Sequence, residues 1–381
     1  MSRYRRGMPV KRSLMVGIAA CGALVAGLLV APAAQSIGVL PADPDRRCAW
    51  PIVYPQGANY AWPDTDAAYI NQAVVIGAKE KVVIQGRDPK ARYWSITTYN
   101  YEDREVIDRV NDVTVKRAKN GSWTVTVSPK QNPRDPNSLQ AAPLPASGQS
   151  PSFRNVTVIM YRVYLSETST YAGGPLPTVT LVHDDGAQGM RTERLKPCVG
   201  NQIRPPDNQP ILETASGVPS DYFIRAPGGR FYPSFDTSYL AADVPYDPAK
   251  ILIVTGKAPS VRKDMRYWSI CQNVNVLPLP VVDCASDREI ALTDGNYTVA
   301  IVGPGQVPDR SAYEGVTFLN WADPGTAAPL PNAFLIVRNI LPSKTFKYGI
   351  DKVALGDPAS PTMGAYAPMI EHVSLAELAA R

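Results

Sequence analysis

Arg92-Tyr93-Trp94-Ser95-Ile96 returns as Arg266-Tyr267-Trp268-Ser269-Ile270, 174 positions further on. Five identical residues including Trp, in a chain with six Trp, mark an internal repeat. The offset of 174 holds downstream, where Asn120-Gly121-Ser122-Trp123-Thr124-Val125 lies over Asp294-Gly295-Asn296-Tyr297-Thr298-Val299. Upstream it is 170, pairing Pro63 with Pro233, Asp66 with Asp236, Tyr69 with Tyr239 and Gly86 with Gly256. The change falls in the loop between Pro259 and Arg266, where insertions cost little. Whatever one copy folds into, the chain must contain twice.

What it folds into is read from period and punctuation. Apolar runs at Lys81–Gln85, Arg92–Thr98, Asp112–Lys116, Ser122–Ser128, Asn155–Tyr164 and Thr178–Val182 alternate with Gly, Pro and Asn, the spacing of a sandwich or barrel. In Ser122–Ser128 the residues Trp123, Val125 and Val127 share one face, and Tyr297, Val299 and Ile301 repeat the pattern, so these aromatics belong to a core. The second copy predicts strands near Ile251–Thr255, Tyr267–Gln272, Tyr297–Val302 and Phe334–Ile340, and Ser374-Leu375-Ala376-Glu377 predicts a capped terminal helix.

The aromatic-Trp-Ser strand Tyr93–Asn100, the turn Asn120-Gly121-Ser122, Leu144-Pro145 and Arg162-Val163-Tyr164 together resemble the bacterial families catalogued as domains of unknown function 1254 and 1214. The resemblance implies paired β-sandwiches of jelly-roll type and no activity. The expected fold is thus all-β, with two tandem jelly-roll-like sandwiches arising from an internal duplication. They divide as residues 34–199 and 221–365, with a Pro-rich linker at 200–220 and a tail with a short helix at 366–381.

Residues 1–33 form an export signal: Arg3, Arg5, Arg6, Lys11 and Arg12 with no acid, then an uncharged stretch from Leu14 to Ala34. Cleavage at Ala31-Pro32-Ala33 would start the mature chain at Ala34. An uncleaved anchor is the alternative, the apolar run being long enough to span a bilayer, and a lipobox ending at Cys21 is a third. Removing this segment takes five basic residues and leaves 34 basic against 34 acidic groups, so no basic stripe remains for nucleic acid. Four cysteines stay behind, and four allow three pairings. Cys271–Cys284 would close a loop turned by Pro278 and Pro280, and Cys48–Cys198 would bracket the first repeat. No two cysteines have close zinc-ligand spacing and the only histidines are His183 and His372, so neither metal nor cofactor is implied.

The chemistry-bearing residues are few. Arg162 and Arg338 follow apolar residues at period two and would point to an apolar strand face, where a guanidinium needs a partner. The repeat-matched Asp66 and Asp236 suggest the pairs Arg162–Asp66 and Arg338–Asp236; the bland alternative has each Arg at a strand end reaching water. Arg92, Trp94, Ser95, Arg266, Trp268 and Ser269 count as structural through the repeat itself. His183-Asp184-Asp185 ends a strand without a nucleophile elbow, and Asp64-Thr65-Asp66 offers too few oxygens for calcium. The densest aromatic stretch, Trp50, Tyr54, Tyr60 and Trp62, could present rings to a sugar or a lipid, or cap a domain with buried rings. Two function classes follow. One is an exported, non-catalytic envelope or extracellular protein that binds or scaffolds, with a glycan, a lipid or an envelope protein as partner. The other is a secreted enzyme on glycan or lipid, with its site between the two domains. A membrane enters only through the N-terminal segment, if it stays uncleaved.

Overall fold

The computed structural model describes residues 48–55, 59–198, 217–226, 232–276, 279–307, 309–321 and 330–380. Residues 1–33, read above as an export signal, and most of the expected 200–220 linker lie outside these residues. The molecule is all-β, and its sheets are open, with no closed barrel among the described residues.

The first half has an inner sheet ordered Ile52–Tyr54, Ala67–Val75, Val156–Ser166, Ala91–Asn100, Val106–Asn111. Its outer sheet runs Met190–Arg194, Thr178–Asp184, Lys81–Arg87, Ser122–Ser128, Ser138–Gln140. The second half repeats this. Thr237–Pro245, Asn332–Ile340, Tyr267–Asn273 and Val281–Ser286 are consecutive in its inner sheet, and Ile251–Lys257 pairs with Asn296–Val302 in its outer one. Even an unusual detail recurs. The last outer strand pairs in parallel in both halves, Thr126 with Ser138 and Ala300 with Phe318.

Each sandwich closes on its own apolar core, and the repeated motif supplies the centre of it. Trp94 stacks on Trp123 with ring centroids 4.9 Å apart, and Trp268 meets Tyr297 at 5.3 Å. These partner rings lie over Gly86 and Gly256, where a Cβ would come within 2.6 Å of Trp123 and 2.7 Å of the Tyr297 hydroxyl. Glycine recurs there because the aromatic ring takes the space a side chain would need. The outer strand Ser122–Ser128 alternates buried and less buried residues as its sequence predicts.

The inner strands do not alternate. Trp94, Ile96, Ile159, Tyr161 and Val163 face the first core, while Tyr93, Thr97, Tyr99, Met160, Arg162 and Tyr164 are buried on the other face as well. A strand covered on both faces loses its period-two signal. What covers the second face is the other half of the molecule, so the two inner sheets share a joint.

Two expectations need correction. The strand placed at Asp112–Lys116 lies earlier, at Val106–Asn111, because the Asn111 side chain accepts from the Val113 and Thr114 amides and turns the chain there. Met369–Val373, assigned to the tail, is a strand of the second outer sheet paired with Ile251–Lys257. The terminal helix, Leu375–Ala379, forms behind the capping box of Ser374 and Glu377. Both disulfides pair as expected, Cys48 with Cys198 and Cys271 with Cys284.

Candidate functional site

Apart from His183-Asp184-Asp185, the polar residues singled out in the sequence gather at the joint, and most of them make contacts across it. Asp64 belongs to the first half, yet its Oδ2 accepts from the Tyr267 hydroxyl at 2.9 Å and the Ser269 hydroxyl at 2.6 Å. Arg338 lies 3.6 Å from the same oxygen, the two side chains being 2% and 0% exposed. Reciprocally, Asp236 of the second half accepts from the Tyr93 hydroxyl at 2.8 Å, the Asn111 amide at 2.9 Å and Arg109 Nε at 2.8 Å.

The arginines are held in the same crossed fashion. Arg338 donates to the Trp62 carbonyl and Arg162 to the Tyr232 carbonyl, each at 2.6 Å. Trp62 and Tyr232 are 170 positions apart, and both adopt a left-handed backbone, φ 51° and 55°. Such a conformation costs a non-glycine residue about 1 kcal/mol or more. Here it turns a carbonyl toward a buried guanidinium that has few other acceptors. At the rim Arg92 pairs with Asp287 and Arg266 with Asp112, again from one half to the other.

This overturns the expected pairs. Arg162 does not meet Asp66, and Arg338 meets Asp64 rather than Asp236. Period two identified the buried face correctly, but a sequence carries no label for which sheet lies opposite that face. Asp66 instead sits 3.9 Å from Arg288 and near Ser286 and Glu289. Burial pushes its pKa up to about 6, with Glu289 and Asp64 adding to the rise and Ser286 opposing it.

Burial likewise raises the Tyr267 and Tyr93 hydroxyls well above the usual tyrosine range, and the carboxylates they face, Asp64 and Asp236, add to it. Both phenols therefore stay protonated and act as donors. Burial works most strongly against the Arg338 charge, but Asp64 together with Tyr69, Tyr164 and Tyr239 outweighs it and the group stays a cation. Tyr93, Tyr267 and Arg338 are thus each held in one protonation state by their surroundings, which suits a lock better than a proton relay.

The aromatic stretch divides between the first core, which takes Trp50, and the joint, which takes Tyr54, Tyr60 and Trp62. Trp50 is 2% exposed and donates its indole N–H to the Pro177 carbonyl. Tyr54 is buried with the Cys271–Cys284 disulfide, and Tyr60 packs against the same cluster. Trp62 stacks on Phe334 of the second half at 4.6 Å and donates to the Val274 carbonyl. Of the two readings of this stretch, the arrangement is that of buried capping rings: Tyr54, Tyr60 and Trp62 close the joint and Trp50 fills the first core. Ser95 is buried on the joint face of its strand. His183 lies away from the joint on the first outer sheet, its two ring nitrogens 3.2 Å from Glu80 and Glu193. Asp64, Cys271 and Cys284 cluster closely, but sulfurs joined in a disulfide offer no thiolate to a metal.

Sequence reasoning missed Asp64, Tyr93 and Tyr267 as joint residues. The repeat did mark the tyrosines. It obscured Asp64, because that position becomes Ser234 in the second copy while the matching contact is made by Asp236, two residues later.

Fold and joint together define a tandem β-sandwich protein whose halves are locked through a buried polar network. Residues 64–158 match the model of a family described as a protein of unknown function, DUF1214, and over that span the chain resembles this family. Among solved structures, an uncharacterised protein from Burkholderia cenocepacia shares the fold with a TM-score of 0.54 at 13% identity, over 86% of this chain and 83% of that one. The VPA0106 protein from Vibrio parahaemolyticus aligns over 82% of this chain and 90% of that one at 14% identity, with a TM-score of 0.40. No curated protein matches the chain in sequence.

Proposed function

We propose that this chain is an exported, non-catalytic protein of the cell envelope or extracellular space, with a binding or scaffolding role. The observation that carries the reading is the use made of its polar residues. Arg162, Arg338, Asp64, Asp236, Tyr93 and Tyr267 are the groups from which an active site between the halves would be built, and they are bonded to one another or to backbone. Two disulfides fit an oxidising compartment. No helix among the described residues is long and apolar enough to cross a membrane.

The test is intact mass of the unreduced protein from culture medium and from membranes separately. We expect a soluble species beginning at Ala34, lighter than its reduced form by the two hydrogens each bridge removes. A full-length, fully reduced chain confined to the cytoplasm would overturn the reading.

A further inference from the structure

The second half carries an insertion that the first lacks. Between the last inner strand and the next outer one, the first half has residues 167–177 and the second has residues 341–368. Within it, Tyr348 and Tyr366 stack with centroids 5.2 Å apart and planes 20° from parallel. Both meet Phe346 edge-on, at 6.0 and 5.1 Å, and Phe346 is buried in the second core. Tyr348 nevertheless remains 45% exposed. The Lys257 ammonium lies 5.2 Å above the Tyr366 ring. Lys344 and Lys347 lie just before Tyr348 in sequence, and all three lysines are exposed and make no ion pair among the described residues.

We propose that this aromatic and basic ledge is a binding site for an acidic, uronate-bearing polysaccharide. The inference rests on the binding role above and assigns it a place and a ligand class. A sugar ring offers a flat C–H face to a tyrosine and, when it is a uronate, a carboxylate to a neighbouring ammonium. The ledge is preorganised, since the stacked rings are rooted in the core through Phe346 and lose little freedom on binding. Its charge is unspent. The contrast is Phe235, an exposed ring whose cation, Arg109, is already neutralised by Asp236. A bilayer would also accept tyrosines and lysines, but a stacked pair presents one narrow, rigid face rather than the broad apolar area that partitions into lipid.

The experiment is affinity electrophoresis of the full chain in gels containing polygalacturonate, with dextran as the neutral control, and a parallel sedimentation assay with phosphatidylglycerol–phosphatidylcholine vesicles. We expect retardation by polygalacturonate, none by dextran, and weakening as salt rises. Tyr348→Ala should weaken binding about tenfold, and Lys347→Glu, which leaves both rings in place, about three- to tenfold. Should Tyr348→Ala melt at a lower temperature than the parent, Lys347→Glu decides alone. No retardation by polygalacturonate, retardation unchanged in both variants, or binding to vesicles only would each overturn the proposal. None of these results depends on where the protein is found, so the export reading fails or stands separately by its mass.

Discussion

Arg162 and Arg338 occupy equivalent strands, are equally buried, and solve the same problem differently. Arg338 has a carboxylate, Asp64, and it also donates to Cys271 Sγ at 2.7 Å. Arg162 has the Thr97 hydroxyl at 3.4 Å, in the place repeat-equivalent to Cys271, and the rings of Tyr69 and Tyr99 at 5.7 and 5.4 Å. No ion pair reaches it among the described residues. One arginine is thus held by a charge, the other by a carbonyl, a hydroxyl and ring faces. A buried guanidinium needs acceptors in its plane and electron density above it more than it needs an acid of its own.

That comparison can be broken by substitution, and urea unfolding measures each case. The largest effect is expected at Asp64→Asn, which strips the charge from the one ion pair among the described residues with both side chains fully buried and should cost about 3–5 kcal/mol. A loss below about 1 kcal/mol would show that Arg338, too, is held by neutral acceptors. Next comes the double change Cys271→Thr with Cys284→Val, which gives the second half the residues that Thr97 and Val110 supply in the first. The cross-link spans 13 residues, and its removal should cost about 3 kcal/mol through the unfolded chain, the Arg338 contact being kept by the new hydroxyl. A cost beyond about 5 kcal/mol would mean the sulfur itself matters to the arginine.

Arg162→Met should cost less, about 1–3 kcal/mol, since it leaves a carbonyl and a hydroxyl without a donor but strands no charge. Asp66→Asn costs nothing and is expected to act with the opposite sign. Burial holds the folded pKa near 6, above the ordinary Asp value, so the folded protein binds the extra proton between about pH 4 and 6. Stability from this group is therefore greatest at acid pH and falls as pH rises to 6. The Asn variant should gain up to about 3 kcal/mol at pH 7 and almost nothing at pH 4. An equal gain at both values would mean that Asp66 does not titrate in this range.

The sequence made the sandwiches legible because outer strands such as Ser122–Ser128 keep one wet face, and the motif Trp and the aromatic opposite it recur at a fixed offset. It made the disulfides legible because the four cysteines beyond the N-terminal segment allow only three pairings. The joint was hidden for the reason the inner strands do not alternate. Tyr93–Asn100 reads as uniformly buried whichever surface covers it, and its partners sit in the other half, with well over a hundred residues between Tyr93 and Asp236. The ledge was hidden for a different reason. Phe346, Tyr348 and Tyr366 are spread over an insertion with no counterpart in the first copy, while the dense run from Trp50 to Trp62 drew attention by proximity alone.

The crossed arrangement also bears on how the molecule comes together. While the second half is unfolded, Asp64 lacks the hydroxyls of Tyr267 and Ser269, and Asp236 lacks Tyr93, Arg109 and Asn111 while the first half is unfolded. Neither sandwich can complete its own buried polar contacts in isolation. The halves should therefore melt as one cooperative unit, in a single transition, although each has an apolar core large enough to suggest independence.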